Sequence, residues 1–147
     1  MNVVSYHPSP EELSYTFGGR PAVGEVRPGT ILELYTEDCF GGLVRSVSDL
    51  PSRVCEFPYL NPVTGPFHVA GAEPGDTIAL HFVSITPARD WAVSTTFPHF
   101  GALTGTHTTA TLQPPLEERV WRYQRTTSGG FAWKDRWEIP WAPFFGT

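Results

Sequence analysis

The sequence predicts a mainly β fold, antiparallel and sandwich- or barrel-like, with long functional loops and little helix. Glycine and proline are frequent, at 14 and 15 of 147 residues, and no long stretch has the period of an amphipathic helix. Thr77–Val83 alternates apolar residues directly after the Pro74-Gly75 turn, which is typical of a strand entered from a tight turn. With 40% hydrophobic residues, the chain is expected to form a single domain over residues 1–147.

Charge and hydropathy argue against several classes of partner. The formal net charge is −5 and no basic cluster is present, which argues against nucleic acid and against an anionic membrane surface. No signal-peptide pattern and no apolar run of membrane-spanning length is found, so cytoplasm is the expected compartment. Cys39 and Cys55 lack zinc-ribbon spacing and are expected to be small buried side chains, with a disulfide or a histidine-activated thiol left as alternatives.

The first part of the chain is predicted to alternate short elements with turns. Ser9–Glu12 has the residues of a one-turn helix start, and Tyr15–Phe17 is interpreted as a short strand that ends at two glycines. Val26–Leu34 contains a Pro-Gly turn followed by an apolar strand, and Ala72–Leu80 repeats this pattern almost residue for residue. Two turn-and-strand units of this kind favour a β architecture, although two copies do not make a solenoid.

The remaining passages predict one functional loop and several strands. Thr36–Pro62 is too polar for a core and too long for a simple connection, which is the profile of a functional loop. A short helix is predicted in Val47–Arg53, and a turn with a strand in Ser84–Thr96. Thr106–Leu112 is rich in β-branched threonine. Further strands are predicted in Glu118–Arg125 and Gly130–Ile139, which should form a hairpin.

Aromatic residues are concentrated in that hairpin and just after it. They are Trp121, Tyr123, Trp133, Trp137 and Trp141. Their spacing is that of strand residues, which favours cross-strand packing over a platform for carbohydrate binding.

Three segments together resemble the acetamidase/formamidase family, whose members hydrolyse small linear amides. The longest is Asn61–Asp76, NPVTGPFHVAGAEPGD, and the others are Tyr35–Gly42, YTEDCFGG, and Phe100–Leu112, FGALTGTHTTATL. The resemblance covers Tyr15–Leu112 well and the rest more loosely. The chain is similar to the N-terminal part of the family, whose sequences continue beyond this point, and is therefore interpreted as a truncated or split member.

The resemblance implies metal-assisted amide hydrolysis, with a divalent ion that activates water and polarises the carbonyl. Zinc is favoured, and calcium is the alternative for an all-oxygen site. Asp38 is the candidate general base and a candidate metal ligand, because it precedes the flexible pair Gly41 and Gly42. The alternative is a solvated acidic turn. Glu56 is the second catalytic candidate, with an ion pair to Arg53 as the rival interpretation.

The histidines differ in the chemistry that their neighbours allow. His107 lies among threonine hydroxyls that could orient its ring, and His99 belongs to the preceding glycine-containing loop, so both are candidate metal ligands. Phe100 and Gly101, in the same loop, join Gly41 and Gly42 as candidate substrate contacts.

The other three histidines are expected to have no catalytic role. His68 and His81 lie in strand-like segments and His7 in the N-terminal tail.

Two functions remain open on the sequence. The first is a hydrolase of carbon–nitrogen bonds in formamide- or acetamide-like substrates. The second is a non-catalytic β module that needs a complementing C-terminal half, or that forms a homo-oligomer. A sugar-binding sandwich rests on the aromatic residues alone and is the weakest interpretation.

Overall fold

The computed structural model describes residues 2–97 and 117–145 of the chain. These residues form eight strands: β1 (Val3–Tyr6), β2 (Gly24–Val26), β3 (Ile31–Leu34), β4 (Phe67–Val69), β5 (Trp91–Thr96), β6 (Arg119–Arg125), β7 (Phe131–Trp133) and β8 (Trp137–Ile139). Helical structure in the same residues is confined to one α-helical turn, α1 (Pro51–Val54), and one 3-10 turn, Pro10–Glu12. The prediction of a mainly β fold with little helix is confirmed.

The chain divides into two compact units, each with its own sheets. The first unit comprises Met1–Gly42 and Glu56–Ile85, and the second comprises Leu43–Cys55 and Thr86–Thr147. In the first unit the strands form two parallel pairs, β1 with β3 and β2 with β4. The antiparallel pairing predicted from the sequence does not hold for these strands. A four-residue connection between β2 and β3 permits a hairpin but does not require one, and each strand takes a partner from elsewhere in the chain.

The predicted helix start after Ser9 is confirmed as a single 3-10 turn. The backbone N–H of Glu12 donates to the Ser9 carbonyl at 3.0 Å, and the Glu12 carboxylate accepts from the Ser9 N–H at 2.7 Å. The second bond, from the N-cap N–H to the side chain of the third helical residue, is the glutamate half of a capping box. Arg20 fixes the end of the turn, since its guanidinium donates to the carbonyl of Leu13 at 2.6 Å.

The predicted strand at Tyr15–Phe17 is wrong, because this segment is a series of bends. Thr16 Oγ1 donates to the Gly18 carbonyl at 2.7 Å, and Gly18 has a φ of 112°. That local hydrogen bond closes a turn where a strand would need to stay extended. Ser14, just before the bends, forms an isolated antiparallel bridge with Val63.

The strand predicted for Thr77–Val83 is also wrong, although the turn before it is confirmed. Asp76 N–H donates to the Glu73 carbonyl at 3.0 Å, and Gly75 has the positive φ, 104°, that the turn requires. Beyond the turn, Thr77–Val83 lies outside every strand. Ile78 and Leu80 are 70% and 75% exposed. The alternating pattern is present in the sequence, but no strand of the described residues pairs with it.

The second unit contains a four-stranded antiparallel sheet in the order β5-β6-β7-β8. β5 pairs with β6 from Trp91↔Gln124 to Thr96↔Arg119, which confirms the predicted strand after residue 84. The predicted hairpin is confirmed in β6 and β7. Lys134, with a φ of 52°, opens a turn that divides the predicted second strand into β7 and β8.

Side-chain packing in this sheet follows the aromatic pattern of the sequence. Tyr123 and Trp133 both contact Trp137, at centroid distances of 5.8 and 5.9 Å, and Phe131 contacts Trp141 at 5.7 Å. Cross-strand packing is therefore confirmed for Tyr123, Trp133 and Trp137, whereas Trp141 packs on the sheet from outside the described strands.

The predicted short helix is confirmed by α1, with a start at Pro51 where proline suits the first helical position. Ser52 links this helix to Glu118, just before β6. Its N–H and hydroxyl donate to the Glu118 carboxylate at 2.8 and 2.7 Å.

Few apolar side chains are buried in the described residues. Val26 is buried in the first unit, and Val44, Val120 and Phe131 are buried in the second.

Two further observations concern cysteine burial and membrane spans. Cys39 is exposed and Cys55 is half-buried, so the expectation of two buried thiols is wrong. Among the helices of the described part, none is long and apolar enough to cross a bilayer.

Candidate active site

The strongest candidate site is the acidic loop, which we define as residues 37–42 (EDCFGG) directly after β3 and Tyr35-Thr36. Asp38 organises it. Its Oδ1 accepts hydrogen bonds from the backbone N–H of Phe40 at 2.8 Å and of Gly42 at 2.9 Å, and its carbonyl accepts from Gly41 at 3.0 Å. Gly41 and Gly42 have φ angles of 63° and 71°, a left-handed conformation that favours glycine. The loop shape thus depends on one carboxylate and two glycines.

These hydrogen bonds decide part of the chemistry that the loop can perform. Oxyanion stabilisation needs backbone N–H groups that point at the substrate. The N–H groups of Phe40, Gly41 and Gly42 all donate to Asp38. The loop is therefore a place for carboxylate chemistry, and an oxyanion hole has to come from other groups. Open space adjoins Gly41, because a Cβ placed there would meet no heavy atom within 4 Å.

A second carboxylate is held beside Asp38 by neighbouring groups. Glu37 Oε1 accepts from the backbone N–H of Asp38 at 2.8 Å, and Glu37 Oε2 accepts from the Tyr35 hydroxyl at 3.1 Å. The two acidic side chains are thus fixed by the same short stretch of chain. Their carboxylates are part-buried, which strengthens hydrogen bonds relative to bulk water.

His7 and Tyr35 belong to this neighbourhood and were missed in the sequence analysis, which placed His7 in a tail. Their rings stack at a centroid distance of 4.1 Å and an interplanar angle of 6°. The contact follows from the β1–β3 pairing, which ends at Tyr6↔Leu34 and continues with Tyr35 N–H donating to the Tyr6 carbonyl at 3.1 Å. The sequence carries no local signal for this contact, because alternation alone does not specify the parallel register of two short strands.

The segment beginning at Asn61 braces the acidic loop. Asn61 N–H donates to the Cys39 carbonyl at 2.9 Å, and Thr64 Oγ1 donates to the Tyr35 carbonyl at 2.8 Å. Asn61 has a φ of 57°, which asparagine tolerates better than most residues. Two of the motifs that resembled one family in the sequence therefore meet in the structure.

Glu56, the second catalytic candidate, lies in the turn that leads to this bracing segment. The Tyr59 N–H donates to the Glu56 carbonyl at 2.9 Å, which closes the turn. The Glu56 side chain is exposed, and its neighbours Phe57 and Tyr59 are 43% and 54% exposed. The aromatic enclosure expected around this carboxylate is therefore not observed, and its role in proton transfer stays a prediction.

The structure places the remaining predicted residues as follows. His68 lies in β4, 4.0 Å from the Glu25 carboxylate on β2, as expected of a strand residue. His81 is exposed and lies outside every strand. Four candidates fall outside the described residues, namely His99, Phe100, Gly101 and His107.

The predicted metal site is represented in the described residues by Asp38 alone. Within residues 2–97 and 117–145, no three His, Cys, Asp or Glu side chains are grouped closely enough to hold a metal ion. The predicted ligands His99 and His107 lie outside these residues.

A second carboxylate, Asp49, orders a turn through hydrogen bonds of the same kind. Asp49 Oδ2 accepts from the backbone N–H of Arg45 at 3.0 Å and of Ser46 at 2.7 Å. The hydrogen bond from the Arg45 backbone, followed by those from Ser46, lowers the pKa of Asp49. Asp38 and Asp49 both tie a loop through one carboxylate oxygen, and this similarity supplies a control for experiments on Asp38.

The fold and the site together define a mainly β protein with an acidic, glycine-containing loop that is braced by the segment beginning at Asn61. A profile of the acetamidase/formamidase family matches residues 19–135. The chain belongs to this family.

Solved structures agree with this assignment. An acetamidase from Yersinia enterocolitica matches with 35% identity and a TM-score of 0.77, over 95% of this chain and 44% of that chain. An acetamidase from Bacillus halodurans matches with 19% identity and a TM-score of 0.69, over 93% of this chain and 42% of that chain. A predicted acetamidase/formamidase from Thermoanaerobacter tengcongensis matches with 22% identity and a TM-score of 0.63, over 95% of this chain and 43% of that chain. The chain spans less than half the length of these three proteins. A search of curated proteins gave no match.

Proposed function

We propose that this chain contributes the acidic-loop part of the active site in a hydrolase that acts on the carbon–nitrogen bond of small linear amides. One observation carries the proposal. Asn61 and Thr64 hold the loop that contains Asp38, through hydrogen bonds to the Cys39 and Tyr35 carbonyls. Family membership supplies the reaction class, and the Yersinia relative is called an acetamidase.

The proposed reaction assigns different tasks to the candidate residues. Amide hydrolysis needs an activated water, stabilisation of the tetrahedral oxyanion and a proton for the leaving amine. Asp38 holds or deprotonates the water, because its position is fixed by the loop backbone. Glu56, exposed at the neighbouring turn, transfers a proton to the leaving amine.

The proposed substrate contacts come from glycine-containing loops. Gly41 and Gly42 present backbone without side chains, and open space adjoins Gly41. Phe100 and Gly101 complete the proposed contacts.

The proposal includes a divalent metal ion, with zinc favoured over calcium. Asp38 would hold it together with His99 and His107, a mixed carboxylate and imidazole set that suits zinc. When bound, such an ion lowers the pKa of a coordinated water and polarises the amide carbonyl. Among the described residues only Asp38 belongs to this set, and it already orders the loop, so the metal proposal depends on the two histidines.

The test is ammonia release by the purified chain from formamide and acetamide. We expect release that stops after treatment with a chelator and returns on addition of zinc, together with near-stoichiometric metal in the untreated protein. Circular dichroism before and after chelation keeps loss of fold separate from loss of activity. A folded chain that contains stoichiometric metal and releases no ammonia would contradict the proposed activity, and metal-free activity would contradict the metal.

The second candidate function is a module that works only with a partner half, or as an oligomer. It is favoured by the span of the chain, which is 44% of the Yersinia acetamidase. Ammonia release that appears only on addition of the remaining part of that acetamidase would support this function over the first.

A further inference from the structure

A series of side-chain contacts connects the end of β1 to the acidic loop. His7 follows β1 directly, and its exposed ring lies flat on the Tyr35 ring at a centroid distance of 4.1 Å and an interplanar angle of 6°. The Tyr35 hydroxyl donates to Glu37 Oε2 at 3.1 Å, and Glu37 Oε1 accepts from the Asp38 N–H at 2.8 Å. The proposed reaction assigns a task to Asp38 and none to the other three residues.

Tyr35 is held at its backbone as well as at its ring. Its N–H donates to the Tyr6 carbonyl at 3.1 Å, and its carbonyl accepts from Thr64 Oγ1 at 2.8 Å. With the backbone fixed, the hydroxyl moves only when χ1 changes, because rotation about χ2 leaves an atom on the ring axis in place. A flat neighbouring ring opposes a change in χ1, because tilting the phenol would break the stack. The His7 imidazole therefore sets the position of the Tyr35 hydroxyl.

Glu37 carries that position to Asp38, because its two carboxylate oxygens have different partners. One oxygen accepts from the Tyr35 hydroxyl and the other from the Asp38 backbone. Glu37 thereby fixes the peptide plane from which the Asp38 side chain extends. Asp38 Oδ1 in turn accepts from the N–H groups of Phe40 at 2.8 Å and Gly42 at 2.9 Å. The direction of the Asp38 carboxylate thus depends on contacts made outside the acidic loop.

We propose that His7, Tyr35 and Glu37 are positioning residues that hold the Asp38 carboxylate in the direction needed for the attack of water on the amide. The three residues act through Asp38. The hydrogen bond from Tyr35 to Glu37 is part-buried, which strengthens it relative to bulk water. The inference rests on the proposed function, because Asp38 is the proposed base of that reaction.

The effect on the reaction rate distinguishes positioning from a role in stability alone. A displacement of about 1 Å in a catalytic group costs on the order of 10²-fold in rate. A contact that only stabilises the fold would lower the resistance to urea and leave kcat of the folded protein unchanged.

The test measures ammonia release from formamide by variants of the complete 147-residue chain, in the form of the protein that shows activity. Tyr35→Phe removes the hydroxyl and keeps the stacked ring. We expect kcat to fall about 10–100-fold with KM nearly unchanged, because the lost contact orients the base and does not bind substrate. His7→Ala should lower kcat in the same way, and His7→Phe, which keeps a flat ring, should restore most of it. Because His7 is exposed, this pair supplies the test if Tyr35→Phe fails to fold.

Tyr123→Phe is the matched control for the loss of a tyrosine hydroxyl. Its hydroxyl is hydrogen bonded to Ser94 Oγ at 2.7 Å, within the sheet of the second unit. The control should lose a comparable amount of stability in urea and keep its kcat. A second comparison adds Tyr35→Phe to Asp38→Asn. This double variant should have the same kcat as Asp38→Asn alone, because residues that act through one group are not additive with its loss.

Amide hydrogen exchange measures the positioning without any activity. The N–H groups of Asp38, Phe40 and Gly42 should exchange about 2–10-fold faster in Tyr35→Phe and His7→Ala than in the unmodified chain, the factor expected for one net hydrogen bond. Their exchange should be unchanged in Tyr123→Phe.

Three results would overturn the inference. They are an equal kcat in Tyr35→Phe and the unmodified chain, a further loss of kcat when Tyr35→Phe is added to Asp38→Asn, and unchanged exchange of the three amides. Failure of the proposed function gives a different result. An unmodified chain that releases no ammonia in any form counts against that function, and the amide exchange then decides whether His7, Tyr35 and Glu37 position Asp38.

Discussion

Replacing Asp38 separates its structural task from its proposed chemical task. In the native chain, Asp38 Oδ1 accepts hydrogen bonds from the N–H groups of Phe40 and Gly42 at 2.8 and 2.9 Å. Asp38→Ala removes this acceptor. Because the site is part-buried, water replaces the lost partner only in part. We expect the free energy of unfolding to fall by about 0.5–2 kcal/mol, the range typical of the loss of a side-chain cap on backbone N–H groups.

Asp38→Asn changes the charge while keeping an oxygen acceptor. The asparagine Oδ1 can accept the same two hydrogen bonds, so the free energy of unfolding should fall by less than about 1 kcal/mol. Amide hydrolysis should fall by about 10²–10⁴-fold if the carboxylate acts as a base. The measurements are urea denaturation and ammonia release, in the form of the protein that shows activity.

Asp49→Asn is the matched control for that substitution. It removes a carboxylate from a similar turn, where Asp49 accepts from the N–H groups of Arg45 and Ser46. The control should lose a comparable amount of stability and keep its activity. Equal activity in Asp38→Asn and Asp49→Asn, with both proteins folded, would refute a chemical role for Asp38. The role of Asp38 would then be structural.

Two further predictions concern stability alone. Gly41→Ala should lower the free energy of unfolding by about 1–2 kcal/mol, because its φ of 63° is left-handed. Gly24→Ala, where a Cβ would meet the Phe67 ring at an ordinary 3.7 Å, should cost less in the same urea titration, and equal losses would contradict the reasoning. Hydrogen bonds from Ser128 and Thr126 lower the pKa of Glu138 below its ordinary value of 4.5. This carboxylate therefore stabilises the fold above that pH, and the contribution is lost as the pH falls through the lowered pKa. Urea midpoints of wild type and Glu138→Gln should differ at pH 7 and converge at acidic pH, and a constant difference would contradict the assignment.

Local signals in the sequence predicted much of the fold. The Pro28-Gly29 and Pro74-Gly75 turns, β5 and the β6–β7 hairpin all follow from a few adjacent residues. A turn of this kind specifies its own φ angles through proline and glycine, whatever the rest of the chain does.

Elements that depend on a distant partner were not predictable in this way. The pattern of Thr77–Val83 indicates a strand, but alternation says nothing about whether a partner is present. The same limit explains the parallel pairs, since Val3↔Ile31 and Gly24↔Phe67 join residues far apart in sequence.

In the candidate site, too, features within one short stretch were predictable and those that depend on distant strand pairing were not. Asp38, Gly41 and Gly42 were identifiable because a carboxylate before two glycines marks a tight loop within one short stretch. The stacking of His7 on Tyr35 at 4.1 Å was missed, because it requires the register of β1 on β3. The sequence showed only that the segments containing Asn61 and Cys39 resemble the same family. The hydrogen bond from the Asn61 N–H to the Cys39 carbonyl was found in the structure.

The interleaved order of the first unit has a consequence during synthesis on the ribosome. β1 finds its partner once β3 has been made, but β2 pairs with β4, which follows only after Leu43–Cys55 has been translated for the other unit. Throughout that interval the nascent chain carries a strand whose hydrogen-bonding edges are unsatisfied. Such non-local pairing is slow to form and leaves newly made chains open to association with one another. We therefore expect the speed of translation between residues 26 and 67 to affect the fraction of this protein that reaches its native state.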